Sequence, residues 1–352
     1  MTSLKILQVN TEFSWRGGER QTFFILKGLR EQGHTVSLLS LEGSRISTKA
    51  KEIGINVVTV KSNYQAIKKI IQVAGSYDIV HAQTGKAHTQ CFIASLFVNF
   101  SLVYTRRVIF KPSGFFTKLK YKKTDCVISI SKAISKILEA SNCYKNSPVI
   151  FSSFEKHDTN HERVKRILSS LKISDRKKII GIVASLDKDK DPHCSIIACE
   201  KLSKLREDFV FVHFGEGNLK NELSEIISQK KLTDKYILMG HVENVEDLFP
   251  FMNVFLMTSK SEGLGSSVLD AFMSSVPVVS SDAGGLAELV DGRGYICKVS
   301  DSDCFTLSII KALDEGKSKY TSTAKAYCIK NHTLDEMVKK NIEIYQSVLE
   351  NA

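Results

Sequence analysis

No run of this 352-residue chain is both long and apolar enough to span a bilayer. The most apolar segment, Cys91 to Tyr104, is broken by Asn99 and Ser101. Met1 to Val9 carries no basic patch, no apolar run of signal-peptide length and no small-residue cleavage site, so the chain reads as cytoplasmic. Proline is scarce, at five, and no tract is biased in composition, which excludes a fibrous or disordered chain. Cysteine motifs are missing too. Cys91, Cys126, Cys143, Cys194, Cys199, Cys297, Cys304 and Cys328 form no CxxC and have no histidine at zinc-site spacing. They are expected to be reduced thiols filling the core, with neither a metal site nor a disulfide. The absence of a Walker loop and of GxGxxG disfavours a P-loop ATPase and a standard NAD enzyme.

What is present is a globular composition, 43% apolar and 25% charged, in a chain long enough for two domains. The net charge of +11 is local: residues 101–150 hold ten Lys or Arg against Asp125 and Glu139. Within it, Arg106, Arg107, Lys111, Lys118, Lys120, Lys122 and Lys123 alternate with Phe110, Phe115, Phe116 and Tyr121. Basic residues interleaved with aromatics suit an anionic membrane surface, here through residues 106–123; an ordinary solvated basic face is the alternative. Nucleic acid is not expected, since no helix-turn-helix, zinc-finger or RNA-recognition signature accompanies the charge.

Short apolar runs alternate with amphipathic stretches throughout. Strands are expected at Leu4 to Val9, Thr35 to Leu39, Ile55 to Val60, Ile79 to Ala82, Leu102 to Thr105, Cys126 to Ile130 and Val149 to Phe151. A helix from Arg20 to Gln32 ends at Gly33. After a polar stretch the rhythm restarts at Ile179 to Ala184 and continues at Phe209 to Phe214, Ile237 to Met239, Val254 to Met257 and Val276 to Ser280. Both halves are therefore α/β with parallel sheets, whose ligands sit outside the carboxyl ends of the strands. The expected organisation is a first domain over 1–152, a linker over 153–177, a second domain over 178–330 and a C-terminal helical segment over 331–352.

The most informative stretch runs from Thr258 to Phe272, where a strand is followed by a glycine loop and a helix. Gly263 and Gly265 permit close backbone approach, and the amides around Leu264, Ser266, Ser267 and Val268 lie where a helix N-terminus favours a diphosphate. Ser266 is expected to cap that helix. Glu262 and Asp270 have carboxylate oxygens suited to sugar and ribose diols. The same pattern also occurs as a plain α/β connection with no ligand.

Glu262 to Asp270, followed by Pro277-Val278-Val279 and Gly284-Gly285-Leu286-Ala287-Glu288, resembles the donor-site signature of retaining glycosyltransferases of family 4 (glycosyl transferases group 1). Further matches fall in family order: Gly17-Gly18-Glu19, Tyr77-Asp78-Ile79-Val80-His81-Ala82, Gly215-Glu216-Gly217, Gly240-His241-Val242, and Ile344-Tyr345 in a final amphipathic helix. The resemblance implies the GT-B fold, two Rossmann-like domains facing across a cleft, with the last helix crossing back to the first. It implies a retaining hexosyltransferase that needs no metal or other cofactor, using a UDP- or GDP-type sugar. The acceptor is a hydroxyl of a glycan or glycolipid, in lipopolysaccharide or other cell-surface glycan synthesis.

On this resemblance Glu262, Lys190, Arg106 and His81 are the candidate catalytic residues. The donor would be held by Gly17, Gly18, Lys190, Gly215, Glu216, Glu262, Gly263, Leu264, Gly265, Ser266, Ser267 and Asp270. The acceptor would be held by Glu19, Lys86, His88, Arg106 and Arg107, with His81 and His88 on a loop lining the cleft. Two departures stand out: Asp270 is one methylene shorter than the family's glutamate, and Ala184-Ser185 stands where an arginine is frequent. Lys188 is the fallback for Lys190. A nucleotide-sugar epimerase and a non-catalytic nucleotide-sugar-binding protein are the alternatives, and the enzyme is expected in the cytoplasm or peripheral on the inner face of the membrane.

Overall fold

The computed structural model describes residues 3–155, 159–171, 173–174, 176–316 and 320–351. They form two units, one of residues 1–155 with 332–352, the other of 156–331.

The first unit alternates β1 (Lys5–Asn10), α1 (Gly17–Glu31), β2 (Thr35–Leu41), α2 (Arg45–Glu52), β3 (Asn56–Val60), α3 (Asn63–Val73), β4 (Ile79–Ala82), α4 (Gly85–Ala94), β5 (Leu102–Arg106), α5 (Phe115–Lys122), β6 (Cys126–Ser129) and α6 (Lys132–Ala140). In the second unit come α7 (His161–Ser170), β7 (Lys178–Val183), α8 (Pro192–Ser203), β8 (Phe209–Phe214), α9 (Lys220–Gln229), β9 (Tyr236–Gly240), β10 (Val254–Met257), α10 (Ser266–Met273), β11 (Val278–Ser281), α11 (Gly285–Val290), β12 (Tyr295–Cys297), α12 (Ser302–Glu315) and α13 (Thr321–Asn331). The last helix, α14 (Leu334–Glu350), belongs to the first unit.

Each unit has a six-stranded parallel sheet, ordered β3-β2-β1-β4-β5-β6 in the first and β12-β11-β10-β7-β8-β9 in the second. This is the doubly wound order of two Rossmann-like domains. The first sheet is buried on both faces: Ile6, Leu38, Val103 and Ile128 pack under α1, α2 and α14, while Leu7, Leu39, Val80 and Val127 pack under α3 and α4. Such double burial is why these strands read as predominantly apolar runs, interrupted by buried Gln8, Ser37, Ser40 and His81. At Gly28, on α1, a Cβ would lie 2.3 Å from Val338 Cγ2 on α14, so the glycine sets how closely these helices pack. Its helix-propensity cost of about 1 kcal/mol is offset by that contact.

Three expectations need correction, and one strand was not expected. Val149 to Phe151 makes only a single bridge, Ser129 with Val149, instead of a strand. The three-residue edge strand β12 went unread because it is too short to show a period. Within 153–177, read as a linker, α7 forms; Val164 is fully buried and Arg163 donates to the carbonyls of Glu243 and Asn244 and to the Asp247 carboxylate. Finally, Cys297 and Cys304 are joined by a disulfide, because α12 starts so soon after β12 that their Cα atoms stand 5.6 Å apart. The other six cysteines are free and buried. Among the described residues no helix is long and apolar enough to cross a membrane.

Candidate functional site

In the second sheet β7 and β10 are neighbours, but the chain departs from them in opposite directions, so the loops at their carboxyl ends part and leave a crevice. Those loops carry the residues singled out above. They are laced together: Lys260 N donates to Asp189 O at 2.8 Å and Thr258 Oγ1 to Lys190 O at 3.0 Å. The turn ends at Asp191, 3% exposed, which accepts from Ser300 Oγ and pairs with Lys260 at 3.2 Å.

Across this junction Lys190 Nζ lies 2.6 Å from Glu262 Oε2 and 3.5 Å from Asp189. Ser259 Oγ stands 3.4 Å from the same Glu262 oxygen. Burial alone would lower the Lys190 pKa, but the Glu262 and Asp189 carboxylates outweigh it and hold the ammonium above its ordinary value. Lys188 is exposed, so the structure brings Lys190 to the glutamate and leaves the fallback outside.

Two glycines fix the loop backbone. Gly285 N donates to Glu262 O at 3.0 Å, and a Cβ at Gly285 would fall 2.1 Å from Gly263 O. A Cβ at Gly215 would fall 1.9 Å from Ala184 O. The Gly-Gly and Gly-Glu-Gly signatures thus let loops touch backbone to backbone. Glu216 contributes its carbonyl to Leu186 N, with an exposed side chain. Helix α10 starts beside Glu262 with Gly265 at its cap, at φ +89°, so Ser266 is its first residue and not the cap. Gly263, Leu264 and Gly265 are buried, Ser266 and Ser267 half-buried, and Asp270 is 7% exposed one turn further on. Beneath the loops, His213 donates from Nε2 to Ala184 O at 3.1 Å and its Nδ1 is 2.9 Å from the Tyr236 hydroxyl. Burial pushes its pKa down to about 4, so it stays neutral.

The first sheet has its own switch point, between β1 and β4. Arg107, just past β5, lies across the start of α1: a Cβ at Gly18 would touch its Cδ at 3.4 Å. Its Nη2 donates to Gln83 Oε1 at 2.6 Å, and its Nε is buried with no hydrogen-bond partner. Burial lowers its pKa to about 10 while Glu19 raises it, so the guanidinium remains charged at neutral pH. Arg107, Gln21, Gln83, Thr105, Ser152 and Asn341 are the polar lining of a small pocket with an apolar wall that includes Ile25, Ile128 and Ile150.

Other first-unit candidates are placed differently from expectation. His81 is on β4 itself and fully buried, with Nδ1 2.7 Å from the Tyr345 hydroxyl and Nε2 2.8 Å from Thr105 Oγ1. Burial pushes its pKa down to about 3, so it neither reaches a ligand nor exchanges a proton near neutrality. His88 is inside α4, fully buried, bonded to Thr124 and stacked on Tyr104 at 4.0 Å. Arg106 turns away: 2% exposed, it donates to the Tyr121 hydroxyl and the Phe110 carbonyl. Glu19 accepts from Arg16 N at 2.9 Å, closing the first turn of α1, and is 5% exposed. Lys86 is exposed and pairs with Glu12 at 2.8 Å. Gln83, Gln21 and Asn341 were missed; only Gln83, immediately after β4, has a signal in the strand-end rule.

Residues 164–332 match the family model for glycosyl transferases group 1. The chain is 22% identical over 244 residues to the lipopolysaccharide core biosynthesis mannosyltransferase LpsB of Rhizobium meliloti, covering 66% of this chain and 68% of that protein. It is 32% identical over 127 residues to the Vi polysaccharide biosynthesis protein VipC/TviE of Salmonella typhi, covering 36% of this chain but only 22% of that one. Among solved structures, Anabaena Alr3699/HepE in complex with UDP and glucose superposes with a TM-score of 0.86 at 20% identity, over 98% of this chain and all of that one. A glycosyltransferase from Rickettsia africae superposes with a TM-score of 0.86 at 19% identity over the whole of both chains. The chain therefore has the GT-B fold, and its second unit matches the glycosyl transferases group 1 family over almost its entire length.

Proposed function

We propose that this chain is a metal-independent retaining glycosyltransferase of the cytoplasm. It moves a hexose from a UDP- or GDP-sugar to a hydroxyl of a glycan or glycolipid in lipopolysaccharide or other cell-surface glycan synthesis. The observation that carries the reading is the Lys190–Glu262 pair at the switch point, beside the N-terminus of α10. In the reaction the two partners separate: Lys190 and the α10 amides take the departing diphosphate, and Glu262 takes the sugar hydroxyls. Each ion exchanges one partner for another, so neither is stripped of compensation. With the diphosphate as the base for the acceptor proton, the new bond forms on the face the leaving group vacates. Arg107 holds an anionic group of the acceptor, which its planar guanidinium binds through two parallel hydrogen bonds. Two similar proteins, a lipopolysaccharide core mannosyltransferase and a solved structure holding UDP and glucose, support the reading.

A thermal-shift panel of UDP, GDP, ADP, CMP and their sugar conjugates, with and without EDTA, tests it. One nucleotide is expected to raise the melting temperature selectively, since a ligand at 100 times its Kd stabilises by about 2.7 kcal/mol, and EDTA is expected to leave the rise intact. No shift from any nucleotide overturns the donor site. A shift abolished by EDTA overturns metal independence, and donor consumed without acceptor points to an epimerase. NMR of the product's anomeric carbon decides between retention and inversion.

A further inference from the structure

Between Asp78 and Asp125 the sequence has no Asp or Glu across 46 residues, while Lys86, Arg106, Arg107, Lys111, Lys118, Lys120, Lys122 and Lys123 all fall inside it. The structure sorts these cations. Arg106, Arg107 and Lys120 are turned inward, Lys120 donating to Thr89 at 3.0 Å. Lys111, Lys118, Lys122 and Lys123 are exposed on and around α5.

Helix α5 is held by one side only. Tyr121 is 2% exposed and meets the His88 ring edge-on at 5.3 Å, while the preceding loop is tied down by Arg106 at the Phe110 carbonyl. The opposite side faces solvent with an apolar ridge. Phe115 is 75% exposed, Phe116 78% and Leu119 36%, with Phe110 at 66% beside the helix. Phe115 and Phe116 lie within one turn of Leu119, and Lys118 and Lys122 flank them.

We infer that this face of α5 is a docking surface for an anionic lipid bilayer, with the phenylalanines at headgroup depth and the four lysines against lipid phosphates. Charge complementarity selects the occupant. A nucleic acid backbone would use the lysines but leave the Phe115, Phe116 and Leu119 ridge in water, whereas a bilayer takes up both. The inference is independent of the donor-site reading in the second unit. If both hold, docking concentrates the enzyme where a glycolipid acceptor resides.

The test is flotation of the full chain with vesicles of phosphatidylcholine alone or with about one-third phosphatidylglycerol. Binding is expected to the anionic vesicles alone and to fall as salt is raised to about 0.5 M. Each neutralised lysine is expected to weaken binding roughly fivefold, and Phe115→Ser with Phe116→Ser at least about tenfold. These side chains are exposed, so melting temperatures should stay unchanged. Phe116→Trp should show a blue-shifted emission with anionic vesicles. Equal binding to neutral vesicles, unchanged binding by the double phenylalanine variant, or preference for a DNA or RNA oligonucleotide over vesicles at equal salt would overturn it. Glu262→Ala should float like the wild type, which separates failure here from failure of the transfer reading.

Discussion

The two switch points share a topology and differ in what fills them. At the second, a lysine and a glutamate from separate loops meet at 2.6 Å, and glycines at 215 and 285 let those loops touch backbone to backbone. In the first, a single arginine lies across a helix start, with a Gly18 contact that is ordinary van der Waals distance. Both rest on a buried neutral histidine paired with a tyrosine hydroxyl, His213 with Tyr236 and His81 with Tyr345. The buried histidine–tyrosine support is thus repeated, and the charged groups above it are not. One loop pair presents a lysine–glutamate ion pair, whereas the other presents a single guanidinium held by Gln83.

The largest expected effect comes from breaking the ionic pair. Glu262→Ala should lower turnover by about a thousandfold or more, and Lys190→Met by roughly a hundred- to a thousandfold, as for loss of a charge-stabilising donor. Steady-state kinetics with melting curves checks this: near-wild-type turnover in either variant removes the donor site from β7 and β10. Arg107→Met should raise the acceptor KM about tenfold, with nucleotide binding unchanged and Arg107→Lys intermediate. An effect on nucleotide affinity instead would erase the distinction between the switch points.

The glycines sharpen the contrast in stability. Gly285→Ala should cost about 1–3 kcal/mol by urea denaturation, because backbone must move, while Gly18→Ala on the same scale should lie within about 0.5 kcal/mol. Equal costs would mean that the second-unit loop is not set by close backbone approach.

The smallest effect tests what the two share. His81 and His213 have folded pKa values of about 3 and about 4, below the unfolded value near 6.5. Below pH 6.5 the unfolded chain binds the proton and the folded chain does not. Their stabilisation is therefore complete above 6.5 and is lost as pH falls toward the folded values. Between pH 7 and pH 5 each should account for about 2 kcal/mol of lost stability. His81→Gln and His213→Gln should each flatten that slope by its own share, measured by urea unfolding across the range.

The strand series was legible because buried parallel strands are predominantly apolar runs, and Phe209 to Phe214, despite His213, and Val254 to Met257 coincide with β8 and β10. The loop between β10 and α10 was legible because its glycines and acidic residues lie close in sequence. The first-unit site was less so. Of two adjacent arginines, side-chain packing sends Arg106 to Tyr121 and Phe110 and Arg107 to Gln83, and the dipeptide carries no sign of which. His81 and His88, which polarity marks as ligand candidates, are held inside by Tyr345 and Thr124, residues far along the chain.

By itself the sequence determined two α/β units and the loops at their strand ends, since apolar period and glycine placement are local properties. Only the tertiary structure decided that Lys190 and not Lys188 meets Glu262, that Glu19 caps its own helix, and that Cys297 pairs with Cys304. Those outcomes depend on which groups long-range packing brings within hydrogen-bonding or bonding reach, and no local pattern encodes that distance.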